Sequence, residues 1–260
     1  MELLWRRASP RTRGPKAAFE LDTVVSAAIE LADAEGLEAV TMRRVAERLE
    51  MGTMSLYTYV PGKAELLDLM LDTVYGERLR DAGPGLNAPW RKRLEAMARG
   101  QWAFHQRHPW TLSIASGRSV LGPNEAGSYE LALSVVADLG LPAREMVAVV
   151  DAVSMFVRGA ARDAAEAESA ERVTGQSEEE WWTERDALLT ELMAESDFPT
   201  LGRLDAEGGF AVPPDTPNYN VRFIVDDFDF GLERMLDGIE RHVEAASVRS
   251  RRPRPRPSRR

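Results

Sequence analysis

Apolar residues recur three and four positions apart along almost the whole chain, and no run alternates apolar with polar long enough to build a strand. That period buries a stripe along a helix and cannot cover one face of a sheet, so an all-α chain is expected. Leu21, Val24, Val25, Ala28, Ile29, Leu31 and Ala32 mark a first helix that stops near Gly36. Thr41 is placed to cap a second, with Val45, Ala46 and Leu49 on one face and Arg43, Arg44, Glu47 and Arg48 on the other. Residues 53–59 read as a third, short helix ended by Pro61 and Gly62. A longer helix follows over 63–79, with Leu66, Leu67, Met70, Leu71 and Val74 inward.

The clearest break is DAGPGLNAPW, residues 81–90, with two prolines and two glycines in ten positions. It divides the chain into a basic arm (1–19), a small helical domain (20–80), a larger helical domain (90–247) and an Arg/Pro tail (248–260). The tail has nothing to bury and is expected to be disordered. Helical runs in the larger domain are expected near 90–106, 109–116, 124–139, 143–168, 178–195 and 220–247. The stretch LGRLDAEGGFAVPPDTPN between the last two reads as a Gly/Pro-rich loop.

A composition of 44% hydrophobic and 29% charged residues belongs to a globular protein. The absence of cysteine excludes disulfides, thiolate metal sites and a cysteine nucleophile. No apolar run approaches the ~20 residues of a membrane span, and MELLWRRASPRTRG lacks the apolar centre of a signal peptide. The expectation is a cytoplasmic protein without membrane contact. The net charge of -9 is unevenly spread. Residues 1–19 carry five basic side chains against Glu2, residues 249–260 carry seven arginines and no acid, and most of the negative charge lies beyond Lys63. A phosphate backbone senses a local basic face rather than the whole-chain charge.

The stretch MGTMSLYTYVPGKAEL (51–66) has two tyrosines, several hydroxyls and a lysine, and no acid before Glu65. A helix that reads the major groove is short, offers small or hydrogen-bonding side chains at its start, and is held by a second helix crossing the backbone. Residues 41–59 meet those conditions. Thr53, Met54 and Ser55 open the short helix, while Leu56 and Val60 can pin it inward. Tyr57 and Tyr59 bring hydroxyls on rigid rings, suited to phosphates or base edges. Lys63 opens the next helix, where its charge and the free N–H groups can meet a phosphate.

AEGLEAVTMRRVAERL followed by MGTMSLYTYVPGKAELL resembles the DNA-binding domain of the TetR family of bacterial transcriptional regulators. Beyond the break, PWRKRLEAMARGQWAFHQRHPW, GPNEAGSYELALSVVADLGL, VRGAARD, EEEWW and FDFGLERMLDGIERHV are similar to the C-terminal domain of the Tet repressor branch. The resemblance implies a three-helix helix-turn-helix domain followed by a larger helical domain for ligand binding and dimerisation. It implies a regulator, most simply a repressor, released from a double-stranded DNA operator by a small-molecule effector. It further implies a homodimer through the helices near 143–168 and 220–247. Carried over by position, Thr41 and Arg43 contact the DNA backbone, Thr53, Met54, Ser55 and Tyr57 belong to the recognition helix, and Tyr59 and Lys63 contact phosphate. Glu50 departs from the family, which usually has a turn glycine there; glutamate is disfavoured at positive φ, so a tighter or strained turn is expected, with Gly52 as the residue that could absorb the difference.

At the positions matching the Tet repressor's drug contacts stand Leu79, Met97, Gln101 and Ala115, of which only Gln101 is polar. That argues against tetracycline with its magnesium. Met97, Gln101, Trp102, Trp110, Met155 and Phe156 suggest instead an apolar or aromatic effector, although such residues more often form plain core. The lesser reading of Tyr57 is a half-buried core residue, and Arg44 and Arg48 are expected to be solvated or paired with Glu47 or Glu50. His105 and His108 have no carboxylate near them in sequence, so no metal or cofactor is expected, and HPW reads as a helix terminus with Trp110 in the core. SEEEWW (177–182) reads as a capped helix start. No phosphate loop, nucleophile elbow or carboxylate pair suggests an enzyme. The competing reading is a helical small-molecule-binding protein or enzyme whose first domain is not a specific DNA reader.

Overall fold

The computed structural model describes residues 3–5, 15–81, 88–114, 119–195, 198–211 and 219–251, in which there are ten α-helices and no strand. The chain is all-α, as its periodicity requires. It divides into two compact units, one of residues up to Arg158 together with those from Leu232 on, the other Gly159–Gly231.

The first unit holds α1 (Pro15–Glu35), α2 (Met42–Arg48), α3 (Thr53–Leu56), α4 (Lys63–Asp81), α5 (Trp90–Arg107) and α6 (Pro123–Val136). It also takes the first part of α7 (Ala143–Thr174) and the last part of α10 (Tyr219–Arg251). Val24, Val25 and Ala28 of α1, Val45 and Ala46 of α2, Leu56, Val60, and Leu66, Met70 and Val74 of α4 are almost completely buried in one cluster. At about 1.5–3 kcal/mol per fully buried Val, Leu or Met side chain, this cluster holds the short α2 and α3, which would not persist alone. Phe104 and Trp110 join it from beyond the 81–90 break. That break separates the chain in sequence, while residues on both sides of it pack into one unit.

Glycines permit the close approach of α4 and α6. A Cβ on Gly122 would overlap the Asp72 carboxylate, and one on Gly127 would press on Leu79 at 3.1 Å. Asp72 uses the space to accept from the backbone N–H groups of Asn124 (3.0 Å) and Glu125 (2.9 Å) and from Asn124 Nδ2 (3.1 Å). It thereby caps α6 from the side of α4. At the far end of the unit, Arg91 of α5 reaches Glu233, Asp237 and Glu240 along one face of α10.

The second unit contains the rest of α7, α8 (Glu178–Glu195), α9 (Pro199–Ala206) and the start of α10. The capped start read in SEEEWW is present. Ser177 N–H donates to Glu180 Oε2 (2.9 Å), while Glu180 N–H donates back to Ser177 Oγ (3.2 Å). Those bonds hold the Glu180 carboxyl below its usual pKa.

Several expected boundaries change. α1 begins at Pro15, inside the segment read as an arm, and Leu4 packs in the first unit's core while Trp5 Nε1 donates to the Leu121 carbonyl (2.9 Å). The helix expected over 109–116 is only a 3-10 turn, Pro109–Leu112. α9 stands where a loop was read. Gly202 masks its helical pattern, but Pro199 at its start and the Arg203–Glu207 pair (3.0 Å) support it. α7 runs on to Thr174 through an alanine-rich stretch of high helix propensity. α10 reaches Arg251; the rest of the tail, and with it the expected disorder, lies outside the described residues.

Candidate nucleic-acid interface

Thr41 has extended backbone geometry, and its side chain accepts from Arg44 N–H (3.2 Å), so it caps α2 while remaining exposed. Two of the arginines on α2 are turned backward. Arg44 donates to both carboxylate oxygens of Glu35 (2.7 and 2.8 Å), and Arg48 to Glu30 (2.8 Å). The partners expected from sequence, Glu47 and Glu50, are replaced by acids of α1, because α2 packs across that helix. Arg43 pairs with Glu47 at 3.1 Å, both side chains highly exposed. Such a pair is worth ~0–1 kcal/mol and yields readily to a phosphate.

The turn into α3 answers the question raised by Glu50. Met51 N–H donates to Ala46 O (2.9 Å) and Glu50 N–H to Glu47 O (3.1 Å), the two bonds of a Schellman cap. Glu50 sits at the left-handed position of that cap with φ 53. Gly52 does not absorb the strain; its φ of -70 and ψ of 141 are ordinary extended backbone. Replacing Glu50 with glycine is therefore expected to raise stability by about 0.5–1 kcal/mol, seen as a higher urea midpoint. A left-handed non-glycine residue costs ~1–2 kcal/mol, and glycine's unfolded-state entropy returns part of the gain.

α3 proper is four residues, Thr53–Leu56, shorter than the expected 53–59; residues 57–59 continue as turns, with Tyr59 N–H donating to Leu56 O at 3.0 Å. Leu56 and Val60 are fully buried and anchor the segment. Met54 is 81% exposed, Ser55 is exposed, and Thr53 is half-buried. Tyr57 is exposed, so the core reading of that ring falls away. Tyr59 is half-buried against the core. Lys63 is exposed at the first position of α4. Thr41, Arg43, Met54, Ser55, Tyr57 and Lys63 thus present polar or flexible atoms to solvent from one short stretch of chain.

α4 runs from Lys63 back into the unit, where a polar network ties it to its neighbours. His108 Nδ1 meets Asp33 of α1 (2.8 Å) and its Nε2 meets Glu77 of α4 (3.2 Å), while Trp110 Nε1 donates to the same Asp33 (2.6 Å). The sequence showed no carboxylate near His108; the fold brings two. His242 likewise meets Glu145 (2.7 Å). Among the described residues no group of side chains has the arrangement of a metal site.

The expected effector-lining residues do not form one set. Gln101 is buried, and its Nε2 lies 3.5 Å from the Ser154 carbonyl of α7. Met97, Trp102 and Phe156 are half-buried. Trp110 belongs to the core shared with α1, and Met155 is 59% exposed. Ala115 lies outside the described residues. A cluster that sequence reasoning missed stands beside Gln101. Tyr75 stacks on Phe104 (ring centroids 5.5 Å), and the Arg78 guanidinium lies over both rings, at 5.7 and 5.4 Å. His105 is 4% exposed and edges Phe104 at 5.1 Å. Burial, reinforced by Arg78 and Arg158, pushes the His105 pKa down to about 3. The available signal was spacing: Tyr75 and Arg78 are three apart on α4, and Gln101 and His105 four apart on α5.

Residues 24–70 match the family model described as "Bacterial regulatory proteins, tetR family", and residues 83–243 match "Tetracyclin repressor-like, C-terminal domain". The chain is 43% identical over 242 residues to the HTH-type transcriptional repressor DrrR1 of Streptomyces coeruleorubidus, covering 92% of this chain and 84% of that protein. It is 35% identical over 210 residues to an HTH-type transcriptional regulator of Saccharopolyspora erythraea, covering 79% and 83%. The crystal structure of the Streptomyces coelicolor TetR family protein ActR in complex with actinorhodin superposes with a TM-score of 0.64 at 28% identity, over 84% of this chain and 93% of that one.

Proposed function

The chain belongs to the TetR family of bacterial regulatory proteins, a helix-turn-helix family of transcriptional regulators, and we propose that it is a repressor released from its operator by an apolar or aromatic effector. The observation that carries the DNA-binding face is the exposed stretch from Met51 to Ala64. It has no acid, offers Met54, Ser55 and Tyr57 from α3 and Lys63 from α4, and is flanked by Arg43 in a pair that is easily exchanged. Thr41, Arg43, Tyr59 and Lys63 would hold phosphates, while Thr53, Met54, Ser55 and Tyr57 would face base edges.

A homodimer would place two such faces ~34–36 Å apart on a near-palindromic site. Apolar side chains exposed on the single chain support a partner: Met155 on α7 and, on α10, Phe223 and Phe230, seven apart. Effector binding that changes the separation by a coupling of ~1–3 kcal/mol would shift operator affinity roughly 5- to 150-fold. That an ActR structure holds actinorhodin supports a small organic effector for this relative as well.

Gel-shift titration with DNA flanking the encoding gene, against unrelated competitor DNA at moderate salt, tests the reading. Sequence-preferring binding is expected, and its absence leaves the helical carrier or enzyme as the better account. In the same assay Lys63→Ala is expected to weaken binding to all sequences and reduce the salt slope by about one, whereas Tyr57→Ala changes sequence preference as well. An unchanged slope removes Lys63 from the phosphate contacts.

A further inference from the structure

Arg78, the Tyr75–Phe104 stack and His105 form a polar cluster inside the first unit in which, among the described residues, Arg78 and His105 Nε2 have no hydrogen-bond partner. The Arg78 side chain is half-buried, and burial lowers its pKa. Its partners are the faces of Tyr75 and Phe104; no carboxylate among the described residues pairs with it. A guanidinium partly withdrawn from water without a counter-ion loses some of its hydration, and two ring faces compensate that loss only in part.

His105 adds a second, opposite demand. Thr111 Oγ1 donates its one hydrogen to the His108 carbonyl (2.7 Å), so it can only accept from His105 Nδ1 (3.0 Å). The proton of the neutral ring is therefore on Nδ1, and Nε2 carries a lone pair. Nε2 is buried and has no protein partner. Near one aromatic ring, Phe104, the fold thus sets a cation seeking an anionic oxygen and a lone pair seeking a donor. Gln101, one helical turn before His105 on α5, closes the cluster toward α7. The charges acting on Tyr75 are Arg78, Glu125 and Arg158, and Glu125 is already engaged by Ser119 Oγ (2.6 Å) and Leu121 N–H (2.7 Å).

We propose that this cluster is the polar end of the effector site, and that the effector is an aromatic acid whose anionic oxygen is taken by Arg78 and whose hydroxyl donates to His105 Nε2. This rests on the reading of the chain as an effector-responsive regulator and narrows the effector from apolar or aromatic to anionic aromatic. Tyr75 and Phe104 supply the flat apolar wall, and Arg78 supplies a charge-assisted bond that a neutral isostere cannot make.

The test is direct binding to the full chain without DNA, followed by tryptophan fluorescence, using 2-naphthoate and its neutral isostere 2-acetylnaphthalene. Wild type is expected to prefer the acid by about tenfold or more, the scale of a charge-assisted hydrogen bond in a desolvated site. Arg78→Gln, checked by circular dichroism to be folded, abolishes the preference while keeping affinity for the neutral compound; Arg78→Lys restores part of it. A hydroxynaphthoate series with the hydroxyl at positions 1, 3 and 6 is expected to contain one member that binds more tightly than 2-naphthoate, an advantage lost in His105→Leu. Equal affinities in wild type, a preference that survives in Arg78→Gln, or no binding of the acid at millimolar concentration overturns the proposal. Failure of operator binding in the gel shift overturns the regulatory reading alone, since this assay contains no DNA.

Discussion

Lowering the pH from 7 to 5 is expected to cost the protein about 2 kcal/mol of folding stability through His105 alone. In the unfolded chain this imidazole takes up its proton near its ordinary pKa of 6.5, whereas in the fold it does so only near 3. The cause is first burial, which removes the water an imidazolium needs, and then the positive charges of Arg78, Arg158 and His108. A histidine with a depressed folded pKa contributes its full stability above the unfolded pKa. That contribution is lost as pH falls through 6.5 and is exhausted near 3, so most of the pH 7 to 5 interval lies on the losing slope. Urea midpoints of wild type and His105→Leu at both pH values measure it. The variant loses the Thr111 bond at either pH, so its absolute stability is lower throughout, but its change between pH 7 and 5 is smaller by about 2 kcal/mol. The same change in both proteins would show that His105 is accessible to protons in the fold.

Asp72→Ala is expected to cost about 2–3 kcal/mol, because the first turn of α6 loses its cap and two backbone donors are left where water reaches poorly. Asp72 is 5% exposed and accepts from Asn124 and Glu125 of the helix packed against it. Burial raises its carboxyl pKa from the usual 3.8, even though the two backbone bonds and the one from Asn124 Nδ2 pull it down. For an acid so shifted, the favourable contribution is complete below 3.8 and declines as pH rises through the folded value. The loss caused by the alanine variant is accordingly smaller at pH 7 than at pH 4, and denaturant titration at the two values reads the difference. A change under 1 kcal/mol at both would show that α6 holds its place without this cap. Because α4 carries Lys63 at one end and Asp72 nine residues on, loosening the cap also loosens the helix that joins the DNA face to the rest of the unit.

The parts legible in the sequence share one property: local period or local spacing decides them. Leu66, Met70 and Val74 are buried as their spacing requires, Thr41 caps α2, Ser177 and Glu180 form their box, and Leu56 and Val60 anchor a short exposed helix. The errors fall where a local rule was overridden. Gly202 hid α9, the run from Pro109 ended as a 3-10 turn at Leu112, and at the turn after α2 the strain fell on Glu50 while Gly52 took none of it.

By itself, then, the sequence determined the helical class, the order of most of the helices, the acid-free stretch at Met51–Ala64 and the family, since these depend on residues close together in the chain. Tertiary structure alone decided which acids hold Arg44 and Arg48, that Asp33 and Glu77 flank His108, and that Arg78 and His105 share one buried cluster. Those pairings join residues from 9 to 75 positions apart, and one that leaves a cation or a lone pair without a protein partner has no trace in any local pattern. It exists only because helix packing sets a half-buried guanidinium and a fully buried imidazole beside the same ring.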